Sequence, residues 1–150
     1  MTASDLVQLD PTNRDPAYLC GRLLAVLEAI QREALGDISA SIVDRFFGTA
    51  SSAPASVFGR LLRGAQPHLK TLNRDKRGMY NIFENRLLDV TQGISGRDGF
   101  PKTLSLEKQG LFALGYYHQR AADRAERIAR ASRRRAANAE TPTDGATQPG

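Results

Sequence analysis

Val57-Phe58-Gly59-Arg60-Leu61-Leu62-Arg63-Gly64-Ala65-Gln66-Pro67-His68-Leu69-Lys70-Thr71-Leu72-Asn73-Arg74 is the stretch that decides the fold. Wound at about 100° per residue, it collects Val57, Phe58, Leu61, Leu62, Ala65, Leu69 and Leu72 on one side of a helix. Arg60, Arg63, Lys70 and Arg74 fall within about a quarter-turn on the other side. The same helical period recurs along the chain, and no period-2 alternation of β-branched residues persists. The expected fold class is therefore all-α, a bundle of about five helices. Pro67 lies on the basic side, where it either kinks this helix or starts a new one.

Working outward, residues 1–14 read as an irregular N-terminal segment with a turn at Asp10-Pro11-Thr12-Asn13. A helical bundle domain is expected over 15–137 and a disordered tail, rich in Thr, Pro, Gly and Ala, over 138–150. Asp15 can cap the first helix, Pro16 suits its first position, and Gly36 offers a left-handed exit. Its wide apolar face (Leu19, Leu23, Val26, Leu27, Ile30, Ala34) makes it the expected centre of the bundle. A second helix is expected from about Asp37 to Phe47, burying Ile38, Ile42, Val43, Phe46 and Phe47 and ended by Gly48. The third runs from about Pro54 to Leu72. After a charged turn at 73–78, a fourth runs to about Gly93, with Ile82, Phe83, Leu87, Val90 and Ile94 inward. Residues 95–101 form a loop. Ser105 caps the last helix, which continues to about Ala137.

That last helix starts apolar and turns basic. Leu111-Phe112-Ala113-Leu114-Gly115-Tyr116-Tyr117-His118 gives way to Arg120, Arg124, Arg127 and Arg134 on one side. Ala121, Ala122, Ala125, Ile128 and Ala129 lie opposite and are the expected docking face. Tyr116 and Tyr117 could stack on bases, but their position beside Leu114 favours packing for at least one of them. Arg133-Arg134-Arg135 reads as a nonspecific anchor or a fraying helix end.

Composition narrows the class. An apolar fraction of 41% and a charged fraction of 25% suit one globular domain and exclude wholesale disorder. The net charge of +5 is unevenly spread. Residues 1–50 carry four arginines against seven carboxylates, whereas residues 51–150 carry 17 basic residues against nine acidic ones. The basic part is expected to meet a polyanion and the acidic part protein. Cys20 is the only cysteine, so no internal disulfide forms, and its place in an apolar stripe makes it a buried structural thiol. No apolar run approaches the roughly 20 residues that span a bilayer, and no secretion signal opens the chain. A cytoplasmic protein is expected.

Signals for catalysis are sparse. His68 and His118, the only histidines, fall on different helices without metal-ligand spacing, and no phosphate-cradling glycine loop precedes a helix. No enzyme activity, metal, cofactor or small-molecule substrate is expected. The basic faces are the informative feature, because a row of cations on a rigid element neutralises successive phosphates. One such face alone is adequately explained as solvated surface. Two faces together favour nucleic acid, with Arg60, Arg63, Lys70, Arg74, Lys76, Arg77, Arg120, Arg124 and Arg127 as candidate binding residues.

Several segments resemble the C-terminal region of the large subunit of type I-C CRISPR Cascade complexes. They are Asp15 to Glu28 (DPAYLCGRLLAVLE), Asp44-Arg45-Phe46-Phe47-Gly48, Pro54-Ala55-Ser56-Val57-Phe58, and Leu104-Ser105-Leu106-Glu107 with Leu114-Gly115-Tyr116-Tyr117-His118-Gln119-Arg120. Their order and spacing cover about residues 9–125. The whole chain is similar to the small subunit made from an internal start codon of that large subunit. The resemblance implies a non-catalytic, all-helical prokaryotic protein lining the belly of the complex. It implies as partners the backbone and large subunits, guide RNA and target DNA, and other copies of the same chain. There it would stabilise the R-loop and the displaced strand; such complexes leave sequence reading to guide pairing. The competing expectation is a helical protein–protein adaptor whose basic face meets an acidic partner.

Overall fold

The computed structural model describes residues 8–36, 41–95 and 99–140. Among these are five α-helices and no strand: α1 (Pro16–Leu35), α2 (Ile42–Ser52), α3 (Phe58–Asp75), α4 (Arg77–Ser95) and α5 (Leu106–Glu140). A 3₁₀ turn, Pro54–Ser56, leads into α3. The all-α expectation is met. The expected tails beyond these bounds lie outside the described residues.

α1 is the hub, packed against each of the other four helices. Every residue from Ala17 to Glu28 is buried, as is Ile30, so its buried face wraps almost the whole circumference. Its ends follow the expected signals. The Asp15 carboxylate accepts the Ala17 amide at 2.9 Å, and Gly36 leaves the helix at φ +78°. The turn before it also forms, with Asp10 Oδ1 accepting the Thr12 amide at 3.0 Å. The Tyr18 hydroxyl then accepts the Asp10 amide at 3.0 Å, which ties this segment to the core.

α2 departs from expectation at both ends. Residues 37–40, including Ile38, lie outside the described residues. The helix starts at Ile42 under a reciprocal cap, in which Ser41 Oγ accepts the Asp44 amide and Asp44 Oδ2 accepts the Ser41 amide. Gly48 does not end it. A mid-helix glycine costs only about 1 kcal/mol relative to alanine, and here Ala50 is buried while Ser51 and Ser52 both donate to the Gly48 carbonyl at 2.9 Å. Pro54 stops the helix, since it forces Ala53 out of helical geometry (φ −142°, ψ 70°).

α3 begins later than expected, at Phe58, and crosses Pro67 without a break. Proline removes the amide that the Arg63 carbonyl would accept, but Pro67 is exposed on the basic side, where water can serve that carbonyl. The charged turn at 73–78 contracts to one non-helical residue, Lys76. Phe58, Leu61, Ala65, Leu69 and Leu72 are buried as their period requires. In the α4–α5 connection, Phe100 stacks on Phe58 (5.1 Å between centroids), and the Leu104 amide donates to the Ser52 carbonyl at 2.9 Å. Ser105 caps α5 through the Lys108 amide at 3.2 Å, and the helix runs to Glu140 rather than Ala137.

Candidate nucleic-acid interface

α3 presents the simplest arrangement of charge. Its buried leucines fix the helix against α1 and α4, so the opposite side must face solvent. Arg60, Arg63 and Lys70 all lie there, exposed and without an ion pair among the described residues. From Arg60 to Lys70 the ridge is about 15 Å long at about 1.5 Å per residue. At about 3.4 Å per stacked nucleotide, that matches roughly four phosphates.

Arg74, expected on the same ridge, is already paired. Its Nε and Nη2 reach the two carboxylate oxygens of Asp75 at 2.8 and 3.0 Å. This hydrogen bond holds Asp75 below the usual carboxylate range and raises Arg74. Lys76 is also engaged, donating to Glu33 Oε1 of α1 at 3.1 Å. Arg77 is exposed at the start of α4.

α5 differs more from expectation. Its docked stripe is Phe112, Gly115, Tyr116 and Gln119, not the alanine side. Phe47 of α2 packs edge-on against both Phe112 and Tyr116 at 5.4 Å. A continuous helix keeps that register. Past Gln119 the same stripe passes through the half-buried Asp123 and Arg130 and the exposed Glu126, where Arg86 of α4 pairs with Asp123 at 3.4 Å and with Glu126. Burial raises Asp123 despite the opposing pull of Arg86. Of the five residues expected to dock, Ala125 and Ile128 are exposed, whereas Ala121, Ala122 and Ala129 are half-buried.

The three arginines assigned to α5 consequently have different roles. Arg120 folds back over the Tyr116 ring (5.7 Å) and lies 3.9 Å from Glu28, so its charge is partly spent on the core. Arg124 and Arg127 are exposed with no ion pair among the described residues. Both line an open groove of about 450 Å³ between α4 and α5, above Ala25 and Ala29 of α1. The α3 ridge and the α5 arginines are thus separate sites, each carried by a helix that packs on α1. Of the two tyrosines, Tyr116 is buried and Tyr117 is 57% exposed.

The sequence reading missed the polar contacts that hold these helices in place. Glu28, buried in α1, accepts the Tyr116 hydroxyl at 2.8 Å and the Ser41 hydroxyl at 3.0 Å, joining three helices at one carboxylate. Arg22 Nε donates to Gln119 Oε1 at 2.8 Å. Tyr18 Oη and His118 Nδ1 are 2.9 Å apart, which gives that histidine a structural contact. An isolated charge inside an apolar helix was the available signal for Glu28 and Arg22, because such a group is buried only when paired.

Among the described residues, no group of three or more His, Cys, Asp or Glu side chains could hold a metal ion. Nor is any helix there long and apolar enough to cross a membrane. Comparison with curated proteins finds no match. The family model of the CRISPR-associated protein Cas_Csd1 matches residues 3–123, which takes in α1 to α4 and the docked part of α5. With most of the chain inside that match, this protein belongs to the Csd1 family of CRISPR-associated proteins.

Proposed function

We propose that this chain is a non-catalytic small subunit of a type I-C CRISPR Cascade effector complex, where it holds nucleic-acid backbone against α3. The observation that carries the reading is the row Arg60, Arg63, Lys70: three cations with no ion pair among the described residues, on the outer side of a helix whose inner side is buried. Such a row repels itself, and a polyanion laid along it relieves the repulsion while releasing counterions. Membership of a CRISPR-associated family supports such a setting. Guide RNA and target DNA are the polyanions this setting offers. The backbone and large subunits, and further copies of the chain, are its protein neighbours. No base-reading set lies on the ridge, which suits a protein that holds strands while base pairing reads sequence.

The reading is tested by co-purifying the chain with the remaining Cascade subunits and guide RNA, then imaging the assembly. The chain should occupy the belly with α3 along nucleic acid. Its absence from the assembly contradicts the proposal. A second reading, a helical adaptor for an acidic protein, is favoured by the α4–α5 groove lined by Arg124 and Arg127, which have no ion pair among the described residues. Salt separates the two: a steep logarithmic fall in affinity with salt on single-stranded DNA supports the first.

A further inference from the structure

A second, smaller cleft opens beside the α3 ridge, between α1, α2 and α3, with a volume of about 250 Å³. Phe46 of α2 and Leu61 of α3 give it apolar walls, while Gln31, Arg60 and His68 bring polar groups to it. The Gln31 side-chain oxygen accepts the Ile42 amide at 3.1 Å. That bond orients the carboxamide and leaves its NH₂ end to donate elsewhere. His68 is half-buried and has no hydrogen-bond partner among the described residues. At Gly64 the cleft reaches the backbone of α3, and a Cβ added there would meet nothing within 4 Å.

We infer that this cleft receives one unpaired nucleobase from a single strand whose phosphates lie on Arg60, Arg63 and Lys70. The inference rests on the backbone-holding role proposed above and adds the form of the ligand. Arg60 belongs to both features, so a strand with a phosphate on Arg60 carries its base at the mouth of the cleft. The volume falls below the roughly 300–1,000 Å³ typical of whole small-molecule ligands, and suits a single flat ring system. An aromatic wall with adjacent cations is the combination that holds bases of a single strand without reading them closely. Gln31 and His68 offer hydrogen bonds to a base edge that a duplex would keep paired. An apolar peptide side chain would fill the walls equally well but would leave the cations on the rim unanswered.

The test compares two labelled strands of equal length by fluorescence anisotropy with the full 150-residue chain: oligothymidylate, and a fully abasic strand with the same phosphates. The wild type should bind oligothymidylate at least about fivefold tighter, the lower end of what one stacked base contributes. Gly64→Met should fill the cleft, erase that preference and leave the abasic affinity unchanged. Phe46→Leu, which keeps bulk but removes the ring, should reduce the preference in the same direction. Equal wild-type binding of both strands, or a preference that survives Gly64→Met, overturns the nucleobase cleft and leaves the backbone role standing. Failure to bind either strand overturns both.

Discussion

Gly21 of α1 and Gly115 of α5 mark the place where two helix backbones touch. A methyl group on Gly21 would overlap the Phe112 carbonyl and lie 2.8 Å from the Tyr116 amide nitrogen. One on Gly115 would overlap the Tyr18 carbonyl. This crossing sets the register of α5, and with it which arginines face outward. Backbone atoms cannot rotate out of the way as a side-chain tip can. Gly115→Ala should therefore push the helices apart and cost at least the roughly 1–3 kcal/mol of overpacking. Gly64→Ala, where nothing crowds the added carbon, should be neutral or gain up to about 1 kcal/mol. Urea denaturation of the two variants checks this, and equal midpoints would contradict the close crossing.

Tyr116→Phe removes a hydroxyl and leaves the shape of the core intact. It also takes a donor from Glu28, a buried carboxylate that the rest of the network then satisfies incompletely. The expected loss is about 1–3 kcal/mol, the penalty for an unmet buried polar group. A loss near zero in a thermal melt would show that Ser41, Arg32 and Arg120 suffice for Glu28.

Cys20 is fully buried, and burial pushes its thiol up to about 12 from an ordinary value of 9.0. Below both values the folded and unfolded chains hold the same proton, so the thiol adds no pH dependence. Between them the unfolded chain gives up a proton that the fold keeps, and stability falls as pH rises. Cys20→Ala should accordingly lose less stability than the wild type between about pH 8 and about pH 10. The native thiol should also resist alkylation until the protein unfolds. Rapid labelling at neutral pH would contradict the burial.

Leu27→Ala and Leu61→Ala should each cost about 2–5 kcal/mol, as buried leucine truncations do. Both side chains belong to the common core. A loss below about 0.5 kcal/mol, the range of surface substitutions, would place the apolar face elsewhere.

The periodic part of the fold was legible in the sequence. Leu61, Ala65, Leu69 and Leu72 repeat at helical spacing, and Asp15, Pro16, Gly36 and Ser105 punctuate the ends by local chemistry. Boundaries set by competition were not. Gly48 yielded to the buried Ala50 beyond it, and Pro67 was tolerated because it faces solvent. The docking face of α5 was misread because helical period alone placed it opposite the arginines. The Gly21–Gly115 crossing and the Arg86 ion pairs, both between residues far apart in sequence, decided the register instead. The same long-range contacts account for the candidate site. Arg60, Arg63 and Lys70 have no ion pair among the described residues, as their spacing suggested, but the same spacing included Arg74, which its neighbour Asp75 pairs. The engagement of Arg120 with Glu28 and of Lys76 with Glu33 required the packed helices.

The central claim is the proposal that Arg60, Arg63 and Lys70 of α3 hold a nucleic-acid backbone. The most direct measurement is target-DNA affinity of the assembled complex across a salt series, wild type against Arg60→Glu/Arg63→Glu. Neither arginine has a partner to lose among the described residues, so the helical spectrum and assembly should be unchanged. Affinity should fall about equally for all target sequences, and the logarithmic salt slope should flatten by roughly one unit per lost phosphate contact. A double variant that assembles normally and binds DNA like the wild type, with the same slope, would contradict the account and leave this face as solvated surface.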